Sequence, residues 1–113
     1  MKLSEHFELE EFLRSSHGPM SAPSEAHLDH LKSLAALMEE IRSLMQKPIT
    51  ITSGYRDARI NKKVGGAKDS LHLRGMACDF VIKNNRFKFF ETLSLLKRSD
   101  ILFNKVIVYP QEK

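Results

Sequence analysis

SLHLRGMACDFVI, residues Ser70 to Ile82, changes character at Gly75. Up to the glycine the run has no period. Past it, Met76, Cys78, Phe80 and Ile82 alternate with Ala77, Asp79 and Val81. A period of two is the mark of a strand with one face on a core. The pattern predicts a strand over Met76–Ile82, with Met76, Cys78, Phe80 and Ile82 inward, entered by a turn through Gly75. His72 then falls in a loop and Asp79 on the strand that follows it.

Upstream, ITIT (Ile49–Thr52) is β-branched throughout and reads as a second strand. Between the two strands lies SGYRDARINKKVGGAKDS (residues 53–70), polar and holding Gly54, Gly65 and Gly66. We expect a long loop there, and loops of that length inside a compact domain are usually functional. Before ITIT, Leu28, Leu31, Leu34, Met38, Ile41 and Met45 keep helical spacing. Ser24 suits the N-cap of that helix, and Lys47-Pro48 ends it. Ser4–Ser15 reads as a short helix with Leu9, Phe12 and Leu13 on one face and Glu8, Glu10 and Glu11 near its positive end. SHGPMSAP (residues 16–23) is a connecting loop.

Downstream, Arg86–Arg98 is expected to form an amphipathic helix with Phe87, Phe90, Leu93 and Leu96 inward. KVIVYP supplies a third strand over Val106–Tyr109. Helices and strands do not alternate strictly, so the expected class is α+β, with a small, mostly antiparallel sheet packed against helices. The length of 113 residues suits a single domain.

The lone cysteine, Cys78, excludes an internal disulfide. No apolar run approaches the roughly 18 residues a membrane span requires, so no membrane partner is expected. MKLSEHFELEEF has no apolar signal core, which predicts cytoplasmic synthesis. The formal net charge is +4, but the basic residues are scattered and form no compact run with aromatics between them. Nucleic acid is therefore not an expected partner.

His72 and Asp79 carry the chemistry. Imidazole nitrogen and carboxylate oxygen are ordinary zinc ligands. A carboxylate set in a half-apolar strand needs a partner. That partner can be a metal, or Arg56 or Arg74 in a salt bridge. Two ligands also fall short of the three protein ligands usual at a catalytic zinc. His27 and His30, three apart on the long helix, read as a solvated edge, and His6 and His17 as surface residues. Cys78 reads as a packed thiol with no histidine placed to activate it.

Several of these pieces occur together: SGYR (residues 53–56), then Asn61, then VGGA (residues 64–67), then Ser70, His72, Gly75, Ala77 and Asp79 in SLHLRGMACD. The set resembles the M15-type zinc D-Ala-D-Ala carboxypeptidase and phage endolysin peptidase family. Its motif S-x-H-x-x-G-x-A-x-D is filled at every fixed position. LSEHFELEEFLRS resembles the opening of the short, phage-type members.

The resemblance implies a D-Ala-D-Ala carboxypeptidase-like fold and zinc-dependent hydrolysis of amide bonds in peptidoglycan stem peptides. It makes His72 and Asp79 the first two Zn2+ ligands. Arg56 would bind substrate and stabilise developing negative charge. Ser70 would hydrogen-bond the peptide, and Gly65 and Gly66 would let backbone run close to the site. The basic charge would suit an anionic wall, reached after release from the cell or as part of a virion.

The family's third ligand, a histidine after the last strand, has no counterpart, since no histidine follows His72. The expectation is that the chain stops short of that segment and of the catalytic acid or base before it. The alternative is a non-catalytic homologue that binds or scaffolds peptidoglycan. Which bond is cut depends on the shape of the cleft.

Overall fold

In the computed structural model, which describes residues 1–83 and 94–97, the N-terminal segment folds back on itself. Leu3 N–H donates to the Phe7 carbonyl at 3.0 Å and Leu9 N–H to the Met1 carbonyl at 2.9 Å. Helix α1 is therefore only Leu9–Phe12, shorter than the expected Ser4–Ser15. The residues before it use their hydrogen bonds on the reversal. Glu8 N–H donates to Glu11 Oε2 at 2.7 Å and closes the first turn. Phe7 and Phe12 are buried, with Leu9 and Leu13 packed beside them.

Helix α2 (Glu25–Met45) follows the predicted period. Ser24 Oγ accepts from His27 N–H at 3.1 Å, as an N-cap should. At its other end Gln46 takes a left-handed conformation (φ 56°) and donates to the Arg42 carbonyl, just ahead of Pro48. Leu31, Leu34, Ala35, Met38, Ile41 and Met45 form the buried stripe. Midway, Glu39 accepts from Ser4 Oγ at 2.6 Å, from His6 N–H at 2.6 Å and from the His6 ring at 2.7 Å. That joins the N-terminal segment to α2, so His6 is more than a surface residue.

Strands β1 (Ile49–Ser53) and β2 (Asp79–Ile82) pair antiparallel, Ile49 with Ile82 and Ile51 with Phe80. Ile49, Ile51 and Ile82 face the α2 stripe, and Thr50, Thr52 and Val81 face outward. Cys78 and Phe80 pack against the same core, on the inward face read from the sequence. Met76 does not: it is 43% exposed. Its N–H donates to the Leu71 carbonyl at 3.1 Å rather than to a ladder, so the strand starts at Asp79 instead.

Residues 53–70 are not one loop. Helix α3 (Ala58–Lys63) interrupts them. Asp57 Oδ1 caps it, accepting from Ile60 N–H at 2.8 Å, and Oδ2 accepts from Ser21 N–H at 2.9 Å.

Residues 94–97 are helical, and Leu96 joins the core, as expected. Phe87, Phe90 and Leu93, and the strand expected over Val106–Tyr109, lie outside the described residues. The described part is thus a small α+β arrangement with a two-stranded antiparallel sheet. None of its helices is long and apolar enough to cross a membrane.

Candidate metal and substrate site

His72 sits on a single 3₁₀ turn, Leu71–Arg74, and not in an irregular loop. Ser70 starts that turn: its Oγ accepts from His72 N–H at 3.2 Å. Gly75 ends it with φ +71°, and a Cβ there would lie 2.8 Å from the His27 carbonyl. Two further contacts hold the turn. Arg56 N–H donates to the His72 carbonyl at 3.0 Å, and the His30 ring bonds the Arg74 carbonyl through Nδ1 at 2.8 Å.

The His72 ring is oriented by backbone. Its Nδ1 lies 2.7 Å from the Gly54 carbonyl, which can only accept. Nδ1 therefore carries the hydrogen, and in the neutral ring Nε2 keeps its lone pair. This is how metal-binding histidines are usually held. The side chain is 12% exposed.

Asp79 reaches the same point from β2. The ladder slips between Ile51 and Ser53, so Ser53 pairs with Asp79 and Thr52 is the extra residue. Such a bulge re-aims side chains at the strand end. Asp79 Oδ2 lies 3.9 Å from His72 Nε2 and 3.8 Å from Arg56 Nη2. Of the two arginines considered for Asp79, the fold brings Arg56. Among the described residues Arg74 makes no ion pair with it. The Asp79 side chain is 47% exposed, so its charge is not deeply desolvated.

Arg56 is 15% exposed and held from behind. Its Nε donates to Ser53 Oγ at 3.4 Å and its Nη1 to Asn61 Oδ1 at 3.1 Å. Gly66 presses on this pair: a Cβ there would come within 2.8 Å of Arg56 Nη1. Of the two VGGA glycines only Gly66 runs against Arg56; a Cβ at Gly65 would meet nothing within 4 Å, and its φ of +73° is what suits glycine there. Ser70 is placed as a cap on the His72 turn, with its hydroxyl hydrogen still able to donate.

The donor set fits a zinc ion. Two atoms each about 2.0–2.1 Å from a tetrahedral ion stand about 3.3 Å apart. The 3.9 Å between Nε2 and Oδ2 needs only a small closing movement. Among the described residues no group of three or more His, Cys, Asp or Glu side chains gathers in one place, so this is two ligands and not a full set.

The other candidates take other roles. The His27 and His30 rings are 6.3 Å apart, and the His27 ring also lies against Tyr55, tilted by 42° at 5.6 Å. With His30 bonded to Arg74, the pair braces α2 against the His72 turn and is not a solvated edge. Burial, with a smaller effect of the Asp79 charge, pushes the Cys78 thiol up to about 12. Its Sγ lies 3.6 Å from Met38 Sδ, as suits a packed thiol. The sequence reading put His30 on a solvated edge and gave Gly54 and Asp57 no role of their own; of the three only Asp57, three residues before Ile60, carried a local signal.

A histidine whose Nε2 keeps its lone pair, a carboxylate 3.9 Å from it and an anchored guanidinium therefore lie together at one end of the sheet. The family model for peptidase M15 matches residues 5–106, and the chain belongs to that peptidase family. No curated protein and no solved structure matches it.

Proposed function

We propose that this chain is a zinc-dependent peptidase that hydrolyses amide bonds in the stem peptides of peptidoglycan. The observation that carries this reading is the convergence on one oxygen. His72 Nε2 and Arg56 Nη2 approach Asp79 Oδ2 at 3.9 and 3.8 Å from two separate elements. His72 Nε2 and Asp79 Oδ2 would hold the metal. A zinc ion held by these two residues would supply Lewis acidity, to polarise a carbonyl and to make a water more acidic.

The chain's own groups supply the rest of the binding. The Arg56 guanidinium offers Nη2 to a carbonyl or carboxylate oxygen of the peptide and stabilises charge that develops there. The Ser70 hydroxyl, already accepting from His72 N–H, donates its hydrogen to the peptide. The carboxypeptidase-like fold and action at the wall, after release or from a virion, belong to the same proposal.

The test is zinc content per chain after dialysis, on this chain and on His72→Ala, followed by release of products from stem peptides. One zinc per chain, lost in His72→Ala, and cleavage that follows the metal support the proposal. No retained zinc and no cleavage overturn it, and leave a module whose binding to stem peptides is then measured directly.

A further inference from the structure

We propose that Asn61 is the positioning residue of Arg56: a buried, neutral amide that fixes the guanidinium beside Asp79 without cancelling its charge. The role of Arg56 rests on the function proposed above. The placement by Asn61 stands on its own geometry.

Asn61 and Asp57 are the buried polar side chains among the described residues. The burial of Asp57 follows from its capping of α3. Asn61 caps nothing and is only 5% exposed. Its two polar atoms are both used: Nδ2 donates to the Ala67 carbonyl at 2.9 Å and Oδ1 accepts from Arg56 Nη1 at 3.1 Å. The amide has one workable orientation. Turned over, it would set its hydrogens against the guanidinium hydrogens and its oxygen against a carbonyl.

The Asn61 backbone is fixed as well. Its N–H donates to the Asp57 carbonyl, and its carbonyl accepts from Gly66 N–H, both at 2.9 Å. A side chain at 66 would strike Asn61 Oδ1 and Arg56 Nη1 together. The turn, the amide and the guanidinium are therefore packed as one unit.

Arginine has five N–H hydrogens in a rigid fork. Nε and Nη1 are anchored on Ser53 and Asn61, and Nη2 points at Asp79 Oδ2, 3.8 Å away. Of the two anchors, Asn61 is the closer. A carboxylate in its place would hold the fork equally well but offset its positive charge. A neutral amide leaves that charge for an anionic or developing-anionic oxygen.

The experiment is nitrogen-15 NMR of the arginine side chains in the full chain, with no metal or substrate added. The Arg56 Nη1 hydrogens, which Asn61 holds, should exchange more slowly than those of exposed Arg14. In Asn61→Leu, which removes both polar atoms at similar volume, Arg56 exchange should rise roughly tenfold or more, the worth of one hydrogen bond to a charged group. Asn61→Asp keeps the acceptor and should restore slow exchange. A merely structural role would lower stability and leave the Arg56 signals in place.

Unchanged Arg56 exchange in Asn61→Leu, or no rescue by Asn61→Asp, overturns the inference. Should Asn61→Leu not fold, Gly66→Ala tests the same contact from the turn. Joint shifts of the Arg56 and Asn61 side-chain signals support it, and unmoved signals overturn it. Loss of the zinc result with this result intact would remove the peptidase reading and leave the Asn61–Arg56 placement standing.

Discussion

Helix α2 with its two strands, and residues 54–78 between those strands, are held by different physics. The first is apolar: Leu31, Ala35, Met38 and Ile41 are at most 1% exposed and meet Ile51 and Phe12. The second has little apolar burial of its own. It is stitched by side chains bonding to backbone: Asp57 to Ser21 and Ile60, Asn61 to Ala67, His72 to Gly54. A packed core tolerates no missing volume but is indifferent to protonation. A stitched loop gives up little stability at any one bond, yet each bond sets where a functional atom points.

The sharpest way to break this contrast is a pair of truncations. Phe12→Ala should cost about 3–5 kcal/mol in urea unfolding, the usual range for a fully buried phenylalanine. That is a large part of a stability that is commonly about 5–15 kcal/mol for a single domain. His72→Ala should cost only about 1 kcal/mol, the net worth of one hydrogen bond, while abolishing zinc retention. A large stability loss in His72→Ala would show that the turn is a core element after all.

Asp57 gives a second, smaller test, because its role depends on pH. Hydrogen bonds from Ser21 N–H and then Ile60 N–H hold its carboxyl below the ordinary aspartate range. With the folded value depressed, its stabilisation is complete above the unfolded value. It is lost as pH falls through the folded one, so the loss begins near about pH 4. Asp57→Ala should cost about 1–2 kcal/mol at neutral pH, the range for lost N-caps. The gap between the two proteins should shrink as unfolding is measured further below pH 4. A gap that is the same at pH 3 and pH 7 would mean that volume, and not the ionised cap, is what Asp57 provides.

The same contrast explains what could be read from the sequence. Burial leaves a period, so α2 and the inward face of Cys78, Phe80 and Ile82 were legible. His72 and Asp79 were legible because their residue types and motif are distinctive, and the fold does bring them together. Stitching leaves no period. Helix α3 has one buried apolar residue, Ile60, and so no stripe to detect. The contact of His30 with the Arg74 carbonyl joins residues 44 apart through a backbone atom every residue has. The Gly54 carbonyl that orients His72 is equally silent. Met76 kept the strand's alternation but not its ladder, because a turn hydrogen bond took its N–H first.

Cys78 belongs to the apolar region although it stands next to Asp79, and it provides the finest test of the boundary between the two. Its thiol is raised to about 12, so almost none is thiolate at neutral pH, and thiolate is the reactive form. Its Sγ touches Met38 Sδ, and no base bonds it among the described residues. Cys78→Ala should therefore cost no more than about 1 kcal/mol, the loss of one small half-buried group. It should leave zinc retention and any cleavage of stem peptides unchanged. Loss of cleavage with the fold and zinc intact would make Cys78 a participant in the chemistry. The line between core and site would then have to be redrawn one residue before Asp79.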